Sequence, residues 1–189
     1  MMPRPWFRML VPAALALAAA ACTESLVISD PPAEDSPLFE VEYQNYAWGP
    51  QWNGFYVDRQ GRVYRYNLGA SRNSAYADSV MTPQQLAAKY DNMRMLVKTL
   101  SAGEASSKYE LVPQAAAGSY TDQQGVCADA GGERYSAWIY EESDGKYHRL
   151  LLHLRGDIAQ ANRSAAAKAL FHWLEGVTGT AAEGCDPSE

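Results

Sequence analysis

The chain has 189 residues, with 22 acidic and 16 basic side chains and a formal net charge of −6. That balance, spread along the chain and not gathered in one tail, argues against nucleic acid as a partner and against anionic lipid headgroups. The length is enough for one domain with its own core.

Residues 1–22 read MMPRPWFRMLVPAALALAAAAC. Arg4 and Arg8 make a positive start, and Met9 to Ala21 is an uncharged, apolar run of 13 residues. As a helix it would cover about 20 Å, short of the roughly 30 Å of a bilayer core. This is the pattern of an export signal, not of a structural element. Its end, Ala18-Ala19-Ala20-Ala21-Cys22, resembles the lipobox of bacterial lipoproteins, with Ala19 where that family usually has leucine. The resemblance covers the first 22 residues only. It implies that the Cys22 thiol takes a diacylglycerol, that cleavage falls just before it, and that the new amino group is acylated. Two or more acyl chains hold a protein stably on a membrane where one does so marginally. In that family an aspartate after the cysteine often retains the protein at the inner membrane. Thr23 stands there, so the resemblance points to the outer membrane if the cell has two. The same residues also admit a plainer reading. Ala19-Ala20-Ala21 fits an A-x-A cleavage site, which would release a soluble secreted or periplasmic protein.

Removing residues 1–21 from 189 leaves 168, and losing Arg4 and Arg8 takes the charge from −6 to −8. The three cysteines are Cys22, Cys127 and Cys185. With Cys22 lipidated, Cys127 and Cys185 are left to pair, in a compartment that permits disulfides. The bridge would close a loop of roughly 60 residues, worth about 3–4 kcal/mol in the chain-entropy model. The alternative is two unpaired thiols.

Residues 22–37 form a polar, proline-rich tether; its 15 residues after the cysteine reach about 50 Å when extended. A single α+β domain is expected over 38–189. Phe39, Val41 and Tyr43 alternate with Glu40, Glu42 and Gln44, the signature of a strand with one solvated face. Residues 45–54 read as an aromatic loop. Strands at 55–58 and 62–66 flank Gly61. Residues 69–81 read as a loop. Thr82-Pro83-Gln84-Gln85 is a helix start with a capping box. Leu86, Tyr90, Met93, Val97 and Leu100 then form one apolar stripe, predicting a helix over 83–101 that stops at Gly103. Residues 104–132 read as a long loop, with a short strand possible at 109–112. Strands at 134–141 and 147–155 flank an Asp144-Gly145 turn. A second helix is expected near 164–176, capped by Asn162 or Ser164. The sum is an α+β fold: an antiparallel β-sheet with two α-helices packed on one face, in the order β-β-β-α-β-β-α.

The common catalytic and nucleotide-binding signatures (G-x-S-x-G, H-E-x-x-H, C-x-x-C, the P-loop, G-x-G-x-x-G) are absent, and no metal or cofactor is implied. His148 and His153 lie five apart on one expected strand, hence on opposite faces, and so cannot share a metal. His148 falls on the leucine face, at the rim of the core. His172 should face solvent. The remaining feature is a run of rings at Tyr43, Tyr46, Trp48, Trp52, Phe55, Tyr56, Tyr64 and Tyr66. Such rings either cover a thin sheet on both sides or offer a stacking platform. In the second case Trp48, Trp52, Tyr56 and Tyr64 are the candidate contacts. The reading that follows is a non-enzymatic envelope lipoprotein, membrane-bound through Cys22, that binds a protein or glycan. Its rivals are an envelope hydrolase using His148 beside Glu141 or Asp157, and a structural surface lipoprotein.

Overall fold

The computed structural model describes residues 29, 31, 33–47, 49–69, 74–91 and 94–179. The signal, Cys22, Trp48 and Cys185 lie outside them. In chain order the elements are β1 (Pro37–Asn45), β2 (Gln51–Asp58), β3 (Arg62–Asn67), β4 (Val80–Met81), α1 (Pro83–Asp91), β5 (Met95–Thr99), α2 (Glu104–Tyr109), α3 (Val112–Ala116), β6 (Gln124–Gly125), β7 (Gly132–Glu141), β8 (Lys146–Gly156), β9 (Ile158–Ala161) and α4 (Ala165–Thr178). A 3-10 turn, Ser74–Ala77, precedes β4. The strands form one nine-stranded sheet in the order β5-β3-β2-β1-β7-β8-β9-β6, with β4 pairing with β8 beside this path. The pairings are antiparallel, with short connections between several of them, as alternation and the turn signals led one to expect.

Alternation decides which residues enter which core. Phe39 and Val41 of β1, Val57 of β2, Val63 of β3, and Tyr135, Ala137 and Ile139 of β7 share one face. They pack with Ala105 of α2, Val112 and Ala115 of α3, and Ala167, Leu170, Phe171 and Leu174 of α4. The other face carries Tyr56, Tyr66, Trp138 and Tyr147 beneath Leu86 and Tyr90 of α1. The sheet is therefore covered on both sides. The expectation of two helices on one face is corrected: four short α-helices flank a dominant sheet, with α1 opposite the others.

Two boundaries depart from expectation for a visible reason. The predicted helix over 83–101 ends at Asp91, and its second half is the strand β5, paired with β3 through Tyr64↔Leu96 and Arg65↔Met95. Thr82 and Gln85 do form the capping box: the Thr82 N–H donates to Gln85 Oε1 (2.8 Å) and the Gln85 N–H to Thr82 Oγ1 (3.2 Å). Leu86 and Tyr90 are buried as the stripe requires, but Val97 is exposed. Val97 and Thr99 are β-branched and suit a pleated edge better than a helix. Gly103, with φ of 78°, precedes α2 and does not cap α1. The long loop over 104–132 contains α2, α3 and β6, and Pro113 sits in the first turn of α3. Likewise β2 begins at Gln51, so the aromatic loop shrinks to a turn.

The hairpin of β7 and β8 and the helix α4 are as expected. The Ser164 side chain accepts the Ala167 N–H (3.1 Å), and Gly179 ends α4 in the left-handed conformation.

Candidate functional site

The polar half of β1, expected in water, is buried. Glu40 and Glu42 are each 1 % exposed, under α1. Lys89 reaches down from α1 and places Nζ 2.5 Å from Glu40 Oε1 and 2.5 Å from Glu42 Oε2. Tyr66 donates to Glu40 Oε1 (2.6 Å), Trp52 Nε1 to Glu42 Oε2 (2.9 Å), and Arg134 to Glu42 Oε1 (2.9 Å). Arg149 stands 3.6 Å from each carboxylate. Gly54 makes this possible. Glu42, Gly54 and Tyr66 are directly opposed on β1, β2 and β3, so the Tyr66 ring passes over a residue with no side chain. A Cβ at Gly54 would lie 2.2 Å from the Val41 carbonyl oxygen and 2.8 Å from the Tyr66 hydroxyl.

Burial by itself would push the Glu40 carboxyl up. The charges of Lys89 and Arg149 and the hydrogen bonds from Lys89 and Tyr66 outweigh it and hold the group at about 2. Burial, then the charges of Glu40 and Glu42, push the Tyr66 phenol well above its ordinary range. Glu40 therefore stays ionised and Tyr66 stays protonated at neutral pH. Neither is poised to exchange a proton there. The cluster acts as a polar clamp between α1 and the sheet.

The histidines find separate partners. β8 carries an extra residue, Leu152, where pairing steps from Tyr135↔His153 to Ser136↔Leu151. That bulge shifts the parity, so His148, opposite Ile139, and His153, opposite Tyr135, lie on the same face. The two histidines thus do not take the opposite faces that an unbroken strand would give them. His153 is buried and stacked on Phe171, ring centroids 4.1 Å apart. His148 Nε2 is 3.0 Å from Asp144 and 3.7 Å from Glu141, at the exposed hairpin end. These three groups could hold a cation, but they occupy a turn and not the floor of a pocket. Asp157 instead accepts the N–H groups of Ala130 and Gly131, a turn role. His172 is exposed and meets Glu175 at 3.1 Å.

Of the four ring residues offered as contacts, Trp52 (2 % exposed) and Tyr56 (1 %) are core, so their rings offer a partner nothing. Trp48 lies outside the described residues. Tyr64 is half-buried. It stacks on Tyr56 at 5.0 Å, and the guanidinium groups of Arg62 and Arg94 lie 5.6 and 5.4 Å from its ring centroid. Cys127 is half-buried and is not a free thiol.

Tyr64 borders the most unusual surface. β5 is the last strand of the sheet on its side, and all five of its residues are exposed. Met95, Leu96 and Val97 are 60 %, 53 % and 49 % exposed. Beside them stand Arg65, Arg94 and Lys98, all exposed and none in an ion pair with a carboxylate among the described residues. The sequence hid this edge, because Val97 fitted a helical stripe. The signal that could have found it is the run Val97-Lys98-Thr99, strand-forming at its two ends. A second opening, of about 320 Å³, lies at the far end of β1 and is lined by Glu42, Asn45, Tyr46, Arg134, Asp157 and Ile158, among others.

No protein-family model matches the chain, and no curated protein or solved structure is significantly similar to it.

Proposed function

We propose that this chain is the non-enzymatic binding domain of an exported lipoprotein, held at an envelope membrane through Cys22 and engaging an envelope partner at the β3–β5 edge. The observation that carries the reading is the edge itself: three consecutive exposed apolar residues on an open strand. Isolated exposed apolar side chains are ordinary, but a contiguous set beside unpaired backbone favours association. Among the described candidate rings Tyr64, flanked by two arginines, borders this surface, and Tyr56 stacks on it from the core; Trp52 is buried against Glu42 and takes no part. A Cys127–Cys185 bridge belongs to the same reading, as does a tether shorter than the expected 22–37. Ser29 bridges Tyr140, Arg59 donates to the Pro31 carbonyl, Ser36 meets Tyr147 at 2.7 Å and Pro37 opens β1, so the later part of that stretch lies on the domain. Among the described residues no helix is long and apolar enough to cross a membrane; the lipid is the proposed attachment.

The test has two arms. In cells fed labelled palmitate the protein should carry the label and Cys22→Ser should lose it; an unlabelled wild-type protein would refute lipid anchoring. Immobilised protein should retain a specific component of solubilised envelope, and Leu96→Glu should abolish that retention while leaving the unfolding midpoint unchanged. Equal retention by the variant would refute the edge as the site.

A further inference from the structure

Resting on the edge reading above, we infer that the partner presents an extended acidic polypeptide segment, which adds to β5 as a further strand of the sheet. Three observations converge. The first is the contrast between the two ends of the sheet. At one end β6 is two residues long, which leaves little backbone to pair. Natural sheets blunt their edges in this way, or with charges, prolines and bulges. At the other end β5 runs for five residues and carries a single charge, Lys98, and one bulge, at Val97 between the Tyr64↔Leu96 and Val63↔Lys98 pairs, which leaves it longer and less guarded than β6. Its inner side pairs with β3 through Arg62↔Thr99 and Val63↔Lys98; among the described residues its outer side faces no strand.

The second observation is charge. Arg62, Arg65, Arg94 and Lys98 gather at this edge of a chain whose net charge is −6. Asp58 pairs with Arg62 at 2.6 Å, and Asp91 ends α1 nearby, which leaves the edge cationic. A second copy of the chain, docked edge to edge, would bring cations against cations. A segment with alternating acidic and apolar residues would instead meet cations with its carboxylates and Met95, Leu96 and Val97 with its apolar side chains.

The third observation is side-chain placement. Tyr64 and Leu96 are directly opposed on one face of the β3–β5 pair, and Arg65 and Met95 on the other. Each face thus offers one apolar and one cationic or cation-flanked position. An added strand, whose side chains alternate between faces, could use both. In this mode backbone hydrogen bonds supply affinity, and side chains choose the sequence.

The probe is a blocked heptapeptide, Val-Glu-Val-Glu-Val-Glu-Val, added to the full chain in detergent micelles. Hydrogen exchange is followed by mass spectrometry, and self-association by sedimentation. The expected result is slowed exchange confined to the peptides covering β5, weakened several-fold by raised salt. A Val/Lys peptide should give none. The charge-reversed variant Arg65→Glu with Lys98→Glu should reverse that preference. A Val/Glu peptide N-methylated on its backbone should lose binding; equal binding by it would overturn strand addition while leaving the edge reading intact. Three other outcomes overturn the inference: no protection of β5 by the Val/Glu peptide, protection by phosphatidylglycerol vesicles alone, or a dimer that buries β5. The broader edge reading falls separately, if the Leu96→Glu variant retains the envelope component as well as the wild type does.

Discussion

Lys89 is the residue on which the second face of the sheet depends. It is fully buried between two carboxylates that are themselves 1 % exposed. Removing one partner of a buried ion pair leaves uncompensated charge and costs about 3–5 kcal/mol. Lys89→Met should therefore lower the urea-unfolding free energy by about that amount, where a surface lysine such as Lys168 should show almost no change. The same cluster sets an acid limit. Glu40 titrates at about 2 when folded against an ordinary 4.5. A carboxyl depressed in the folded state adds stability that is complete above 4.5 and disappears as pH falls toward 2. Urea midpoints measured from pH 6 down to pH 2 should fall across that window, and Glu40→Gln should flatten the fall. An equally steep slope in the variant would show that other carboxyls govern it. The alternation of β1 was legible in the sequence, but the fate of its polar half was not. Period two says that Glu40 and Glu42 share a face; it says nothing of a helix that returns to cover it. The lysine that neutralises them lies 47 residues or more away in the chain.

At the scale of elements, local signals succeeded where one element's own residues decide the outcome. The capping box at Thr82 is present, and Thr82→Ala should cost about 1 kcal/mol in thermal or urea unfolding. The turn at Gly145 and the cap at Ser164 were legible for the same reason. Local signals failed where a neighbour decides. The apolar stripe from Leu86 to Leu100 fits a helix along its whole length, but the open edge of β3 draws off its second half. Leu152 is invisible as a bulge because the strand around it is apolar on both faces. Gly54 was read as part of a loop, although it is a central strand position over which Tyr66 lies. Gly54→Ala should be among the more damaging small substitutions, at about 1–3 kcal/mol or more, since the nearest atom is backbone and overpacking there displaces β1. A urea midpoint unchanged from wild type would contradict the close approach.

For the whole molecule, net charge proved a poor guide to local surface. An overall −6 argued against anionic partners, and the sheet nevertheless ends in a cationic, apolar strand. Of the eight rings from Tyr43 to Tyr66, Trp52, Tyr56 and Tyr66 are core and Phe55 and Tyr64 pack against it, because a sheet covered on both sides needs two sets of large rings. The surface proposed for binding is accordingly an edge and not a platform. The most direct test places a photo-crosslinking amino acid at position 96 of the full-length protein in cells that make it, with position 168 on α4 as the control. A discrete adduct is expected from position 96, absent from position 168 and lost when Lys98 is changed to Glu. No adduct at 96, or the same adducts from both positions, would contradict it.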